Sequence, residues 1–278
     1  MDILHAILLG IVEGLTEFLP VSSTGHLTIV EKILGYQIEA PGITAFTAVV
    51  QIGSIAAAVI YFWKDIVRIA TAWCRGVLDE KARDSLDYCM GWYVIIGSIP
   101  VAIAGLLLKH QIETVFRGLW VVAAGLIIWS AVMYVADRYG KEQRGEKDIT
   151  WRDALIIGVV QCFALVPGVS RSGATIAAGL FRHIDRVTAT RLSFFLGIPA
   201  LVAAGGLEAV TQVSHISSSV GWGAMIAGVV AAFIVGYFSI SWLLKFISHH
   251  TFTPFVIYRV GLALLITALL SSGILMAN

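Results

Sequence analysis

The sequence predicts an all-α integral membrane protein with an inverted-topology repeat, each half a re-entrant helical hairpin plus three transmembrane helices. Three observations carry that reading. The 278 residues are 58% hydrophobic and only 13% charged, with a mean hydropathy of +0.86, whereas soluble domains average about 45–50% apolar and about 25% charged. Long charge-free runs recur along the chain. Two short apolar stretches, each broken by Pro, Ser and Gly, match each other at a constant offset. The same composition excludes disorder, which needs low hydrophobicity and high charge. A net charge of +1 gives no basic footprint for nucleic acid.

A membrane-spanning helix needs about 20 mostly apolar residues. Between successive Asp, Glu, Lys and Arg residues, the runs 40–63, 88–108, 118–136 and 260–278 meet that length. Residues 209–244 form a fifth, whose polar start at 211–219 reads as a loop. Residues 192–207, extended through Glu208 to about 213, make a sixth. The runs 3–12, 18–30 and 172–181 are too short, and 154–170 is interrupted by Pro167 and Gly168. Such segments read as re-entrant. The breaks are PVSSTGH at 20–26 and PGVSRSGAT at 167–175. Irregular backbone survives at membrane depth only when buried in protein or lining a wet cavity.

At an offset of 148, Gly10 meets Gly158, Glu13 meets Gln161, Ser22 meets Ser170 and Gly25 meets Gly173. The chain therefore reads as a single polytopic membrane domain over 1–278, with one repeat at about 1–140 and a second at about 150–278. Three spans per half is an odd number, so the second half enters from the opposite face. The loops ending at Lys64–Arg83, Arg138–Arg152, Arg182–Arg191 and Lys245 hold most of the basic residues, while the other side holds Lys32, Lys109 and Arg117. The basic side is expected to be cytoplasmic, which puts both termini outside and opens the first hairpin outward. The N-terminal MDILHAILLG has no basic segment and does not read as a cleavable signal.

The hairpins carry the chemistry. Glu13 and Glu17 are spaced i, i+4, so both carboxylates share one helix face. Like charges at membrane depth call for a cation or a proton, and a divalent metal with oxygen ligands is the natural partner. The break supplies Ser22, Ser23, Thr24 and Gly25, whose hydroxyls and N–H groups suit phosphate oxygens. His26 adds an acid, base or nucleophile. Arg171, flanked by Ser170, Ser172 and Gly173, needs an anion, either a phosphate or a structural partner in Glu13 or Glu17. Together these groups fit metal-assisted phosphoryl chemistry. The remaining histidines (His5, His110, His183, His215, and His249 with His250 at a helix end) read as structural. Cys74, Cys89 and Cys162 read as free thiols. Trp63, Trp92, Trp120 and Trp151 read as an interfacial belt. The charged loop 64–87 reads as solvated. The small residues in GSIPVAIAG at 97–105 read as a close-packing surface.

EGLTEFLPVSSTGH at 13–26, PGVSRSGAT at 167–175 and FTPFVIYR at 252–259 resemble the signature segments of the undecaprenyl-diphosphatase family, also called the bacitracin-resistance family. The resemblance covers the whole chain. It implies a bacterial inner-membrane hydrolase, with its site facing outward, that converts undecaprenyl diphosphate to the monophosphate and inorganic phosphate. That reaction recycles the lipid carrier of peptidoglycan synthesis, and bacitracin competes for the same lipid. Dependence on Mg2+ or Ca2+, contact with membrane lipids and room for a homodimer are also implied. By motif position, Glu13 and Glu17 correspond to the acidic pair. Ser23, His26 and Arg171 correspond to the catalytic serine, the histidine and the phosphate-binding arginine. The residues themselves leave open whether Ser23, His26 or a water activated by His26 attacks phosphorus, and whether Glu17 holds the cation or orients His26. An alternative reading keeps the same paired hairpins as a transporter or flippase for a lipid phosphate or another anion.

Overall fold

The computed structural model describes residues 1–38, 40–108, 111, 118–215 and 220–273; the side chains of 208, 209 and 212–215 are not described. Lys109, His110 and Arg117, and the side chains of Glu208 and His215, fall outside the described residues. The described chain is helical, with no strand. We number the α-helices in order: α1 Ile3–Thr16, α2 Ser23–Ile33, α3 Pro41–Tyr61, α4 Trp63–Leu78, α5 Leu86–Leu107 and α6 Leu119–Tyr139. The second half continues with α7 Trp151–Gln161, α8 Arg171–Phe181, α9 Arg186–His215, α10 Trp222–Ile247 and α11 Thr253–Ser271.

Six helices are long and apolar enough to cross a membrane: α3, α5, α6, the Arg186–Leu207 part of α9, α10 and α11. They coincide with the six predicted runs, so the chain is a multi-pass membrane protein. Helices α1, α2, α7 and α8 have 14, 11, 11 and 11 residues. At about 1.5 Å per residue each falls short of a hydrocarbon core about 30 Å thick. The short helices pair across the breaks, as the run lengths predict.

Three expectations need correction. The charged segment after α3 is not a loop, because residues 63–78 form helix α4. Trp63, Ile66, Ile69, Ala70, Trp73 and Val77 recur at three- and four-residue steps there, the period of an amphipathic helix. Residues 211–215, read as loop, continue helix α9. The last span begins at Thr253, seven residues before the predicted start at 260. A rule that stops at every charge excluded Arg259, but protein groups satisfy that charge inside the bundle.

Ser22 and Ser170, equivalent at the 148-residue offset, precede α2 and α8 and have φ of 77° and 73°. Few non-glycine residues adopt such angles. The packing is also paired crosswise. Helix α1 lies chiefly along α10, and α7 along α5. Gly10 faces the Gly228 carbonyl and Gly158 faces Gly97 so closely that an added Cβ at either would overlap backbone. Of the 97–105 segment, Gly97 thus serves close packing, whereas Gly105 meets open space.

Most of the basic residues gather at one end of the bundle. Arg191 pairs with Asp65 at 3.1 Å, Arg68 with Asp87 at 3.3 Å, and Arg186 with Asp137 at 2.7 Å and with Glu142. Asp153, in the first turn of α7, is fully buried between Arg144 at 2.6 Å and Arg182 at 2.8 Å. Burial pushes its carboxyl up, but hydrogen bonds from Arg144, Thr150 and Arg182 outweigh that and hold it well below the usual carboxylate range. The N-terminus lies toward the other end, where the Met1 amine donates to the Val220 carbonyl before α10. The largest apolar cluster joins Phe18 and Val21 of the first hairpin, Val169 and Ala174 of the second, Phe194 of α9 and Phe255 of α11. It packs directly around the two breaks.

Candidate active site

The two breaks meet in the middle of the molecule. The Ser22 Oγ accepts from the Gly168 N–H at 3.1 Å, and the Ser172 Oγ donates to the Leu19 carbonyl at 3.1 Å. Each loop therefore satisfies polar groups of the other, as irregular backbone in an apolar setting requires. The two helices that leave the loops end differently. Ser170 caps α8, its Oγ accepting from the Gly173 N–H at 3.2 Å. Ser22 occupies the same position before α2 but makes no side-chain cap, because its hydroxyl is engaged by Gly168. The first turn of α2 therefore begins with amide groups that no capping side chain covers, a ready anion site.

Ser23 and Arg171, 148 positions apart, are each the first residue of their helix. Both reach Glu17. The Ser23 hydroxyl donates to Oε2 at 2.7 Å, and the Arg171 Nη2 donates to Oε1 at 3.2 Å. Arg171 Nη1 donates to the Ser193 carbonyl at 3.3 Å, while its Nε is buried without a partner. Gly197 of α9 makes room, since a Cβ there would overlap the guanidinium. Glu13 lies one turn before Glu17 and is fully buried; neither of its carboxylate oxygens has a hydrogen-bond donor. It faces Ser54 of α3, whose hydroxyl is likewise buried and unbonded.

His26 sits on α2 just above Ser23. Its Nδ1 lies 2.7 Å from the Ser22 carbonyl and its Nε2 lies 2.7 Å from the Tyr258 hydroxyl. Glu17 therefore does not hold the imidazole, whose two nitrogens meet the Ser22 carbonyl and the Tyr258 hydroxyl, while the Glu17 oxygens accept from Ser23 and Arg171. Thr24 is exposed, and Gly25 and Gly173 are buried at the loop crossing. The acidic pair, the hydroxyls, the histidine and the arginine are thus one cluster, drawn from both halves.

Two residues absent from the sequence-based site belong to it. Arg259 of α11 is fully buried, among the largest side chains so placed. Its Nη1 donates to the Pro20 carbonyl at 3.0 Å, and its Nη2 to the Gly168 and Val169 carbonyls at 2.8 and 3.1 Å. Its Nε donates to the Ser130 hydroxyl at 3.1 Å. One guanidinium thus ties both breaks from behind. Its neighbour Tyr258 reaches His26. The signal was present: an arginine inside an apolar run, by the same reasoning that singled out Arg171. Elsewhere, His5 bonds Tyr36 at 2.8 Å, His249 and His250 follow the end of α10, and all three cysteines are free. Trp63, Trp92, Trp120 and Trp151 are exposed near helix ends.

Fold and site together define a multi-pass membrane protein with a buried polar centre suited to an anionic, phosphate-like group. The match to known proteins is narrower. The family described as "Bacitracin resistance protein BacA" matches residues 6–265, and the chain belongs to that family. The undecaprenyl-diphosphatase of Cutibacterium acnes is 57% identical over 284 residues, covering all of both chains. The undecaprenyl-diphosphatase 3 of Frankia casuarinae is 53% identical, and the undecaprenyl-diphosphatase of Acidothermus cellulolyticus 49%, each again over the full length of both chains.

Proposed function

We propose that this chain is an undecaprenyl-diphosphate phosphatase of the bacterial inner membrane, one that recycles the lipid carrier of peptidoglycan synthesis and confers resistance to bacitracin. Full-length identity of 47–57% to proteins so named supports the activity. The observation that carries the chemistry is the Ser23–Glu17–Arg171 chain, in which a hydroxyl and a guanidinium from opposite halves share one carboxylate. The inverted repeat, with the chain acting as one membrane unit, is part of the same reading. So is an outward-facing site, supported by the collection of basic residues at the end of the bundle away from the N-terminus.

In this reading the terminal phosphate lies against the uncapped first turn of α2 and the Arg171 guanidinium. Ser22, Thr24, Gly25, Ser170, Ser172 and Gly173 shape that cradle. The Ser23 oxygen attacks the terminal phosphorus, its proton passes to Glu17, and the phosphoanhydride bond breaks to release undecaprenyl phosphate. Water then cleaves the phosphoserine, yielding inorganic phosphate, with His26 taking the proton of that water and returning it to the products. The donor set also fits a divalent cation, Mg2+ or Ca2+. Glu13 offers two buried oxygens with no donor, beside a second carboxylate and the Ser54 hydroxyl. Glu13 and Glu17 would hold it, and the bound cation supplies positive charge to the diphosphate oxygens. Among the described residues no three His, Cys, Asp or Glu side chains form a metal cluster, so further oxygens would come from substrate and water.

The test is phosphate release from undecaprenyl diphosphate by purified protein. Ser23→Ala and Arg171→Ala are expected to lower kcat by at least about 100-fold, and EDTA to abolish release. Wild-type protein that binds the lipid but releases no phosphate would favour the transporter reading. Full activity in Ser23→Ala would remove the serine from the role of nucleophile.

A further inference from the structure

Helix α11 brings a residue to the site that neither hairpin supplies. The Ser22 carbonyl can only accept a hydrogen bond, so the His26 Nδ1 that meets it carries the proton. In the neutral ring Nε2 is then bare, and it accepts from the Tyr258 hydroxyl at 2.7 Å. The two rings are nearly parallel, at 10°. The tyrosine backbone is fixed by its neighbour, because Arg259 is bound to the carbonyls of Pro20, Gly168 and Val169. The Tyr258 ring itself is about half exposed, so it can swing aside without disturbing the core.

We propose that Tyr258 is a positioning residue: the Ser22 carbonyl sets His26 in the Nδ1–H tautomer, and the Tyr258 hydroxyl fixes the ring through Nε2 and holds that nitrogen ready until the substrate phosphate or water replaces the phenol. The inference rests on the phosphatase reading for its kinetics, but not for its structural readout. The Nε2 lone pair is the one site on neutral His26 that can accept a proton. A donor placed on it, with Nδ1–H locked on a carbonyl, leaves a single tautomer and a single ring plane. Without the hydroxyl, Nδ1–H stays on the Ser22 carbonyl but the ring loses its second anchor, at Nε2.

Protein labelled with 15N-histidine reports the tautomer directly, the His26 signals being assigned by their loss in His26→Ala. Above neutral pH both wild type and Tyr258→Phe are expected to show Nδ1–H, with the Nε2 resonance shifted in Tyr258→Phe by the loss of its hydrogen bond. Phosphate release by Tyr258→Phe should fall about 10-fold in kcat with KM within about twofold. In a His26→Ala background the same change should add nothing. Incorporating 3-fluorotyrosine at 258 keeps the donor, and should restore both the hydrogen-bonded Nε2 signal and the rate even if the phenylalanine variant folds poorly. An unchanged His26 Nε2 resonance in Tyr258→Phe, or a rate loss that multiplies with His26→Ala, would overturn the proposal. If wild-type protein released no phosphate, the phosphatase reading would fail while the nitrogen spectra still decided the pairing.

Discussion

A guanidinium with no carboxylate partner among the described residues would be costly at membrane depth, yet Arg259 is fully buried. The structure resolves this through backbone chemistry. Each broken hairpin leaves carbonyls that no helix satisfies, and one planar fork answers three of them. Removing that fork strands the Pro20, Gly168 and Val169 carbonyls, at about 1–3 kcal/mol each. Arg259→Met is therefore expected to lower stability by at least about 3 kcal/mol in thermal or denaturant unfolding in detergent. Arg259→Lys should fall between, since one ammonium cannot span both loops. A methionine variant as stable as wild type would show that the loops hold each other without it.

At the scale of elements, α7 shows how a short helix is anchored at its N-terminal end. Thr150 and Asp153 form a reciprocal capping box, and Arg144 and Arg182 close on the same carboxylate. Because the folded Asp153 carboxyl sits below its ordinary range, its contribution is complete at neutral pH. It is lost as pH falls through and below the usual carboxylate range near 4. Asp153→Asn should cost about 3 kcal/mol at neutral pH, and the gap to wild type should close on acidification. A gap that stays constant with pH would mean that hydrogen bonding alone, not charge, holds the cap. The break helices themselves were legible in sequence, because Pro, Gly and paired serines interrupt runs too short to span. Helix α4 was legible too, by its three- and four-residue apolar spacing, but its charges masked it.

For the whole molecule, the strongest expectation concerns sidedness. If both hairpins are re-entrant and the halves inverted, single cysteines at Asp2 and Asp148, in a background free of Cys74, Cys89 and Cys162, label from opposite sides of the membrane. Labelling of both from one side would remove the inverted repeat and the outward-facing site together. The sequence by itself determined the class: composition, six apolar runs and two matched breaks point to a multi-pass helical protein, because continuous apolar runs of about 20 residues satisfy their backbone in lipid as helices. It also determined which residue types gather, since Glu13, Glu17, Ser23, His26 and Arg171 are polar where apolar residues would be expected. Tertiary structure alone decided their pairing. That Glu17 serves Ser23 and Arg171 rather than His26, that Ser22 gives up its cap to the opposite loop, and that Tyr258 and Arg259 complete the centre, all depend on contacts between residues more than 90 positions apart or across the loop crossing. Local periodicity reports which face of a helix is apolar. It carries no record of which distant carbonyl or hydroxyl that face will meet.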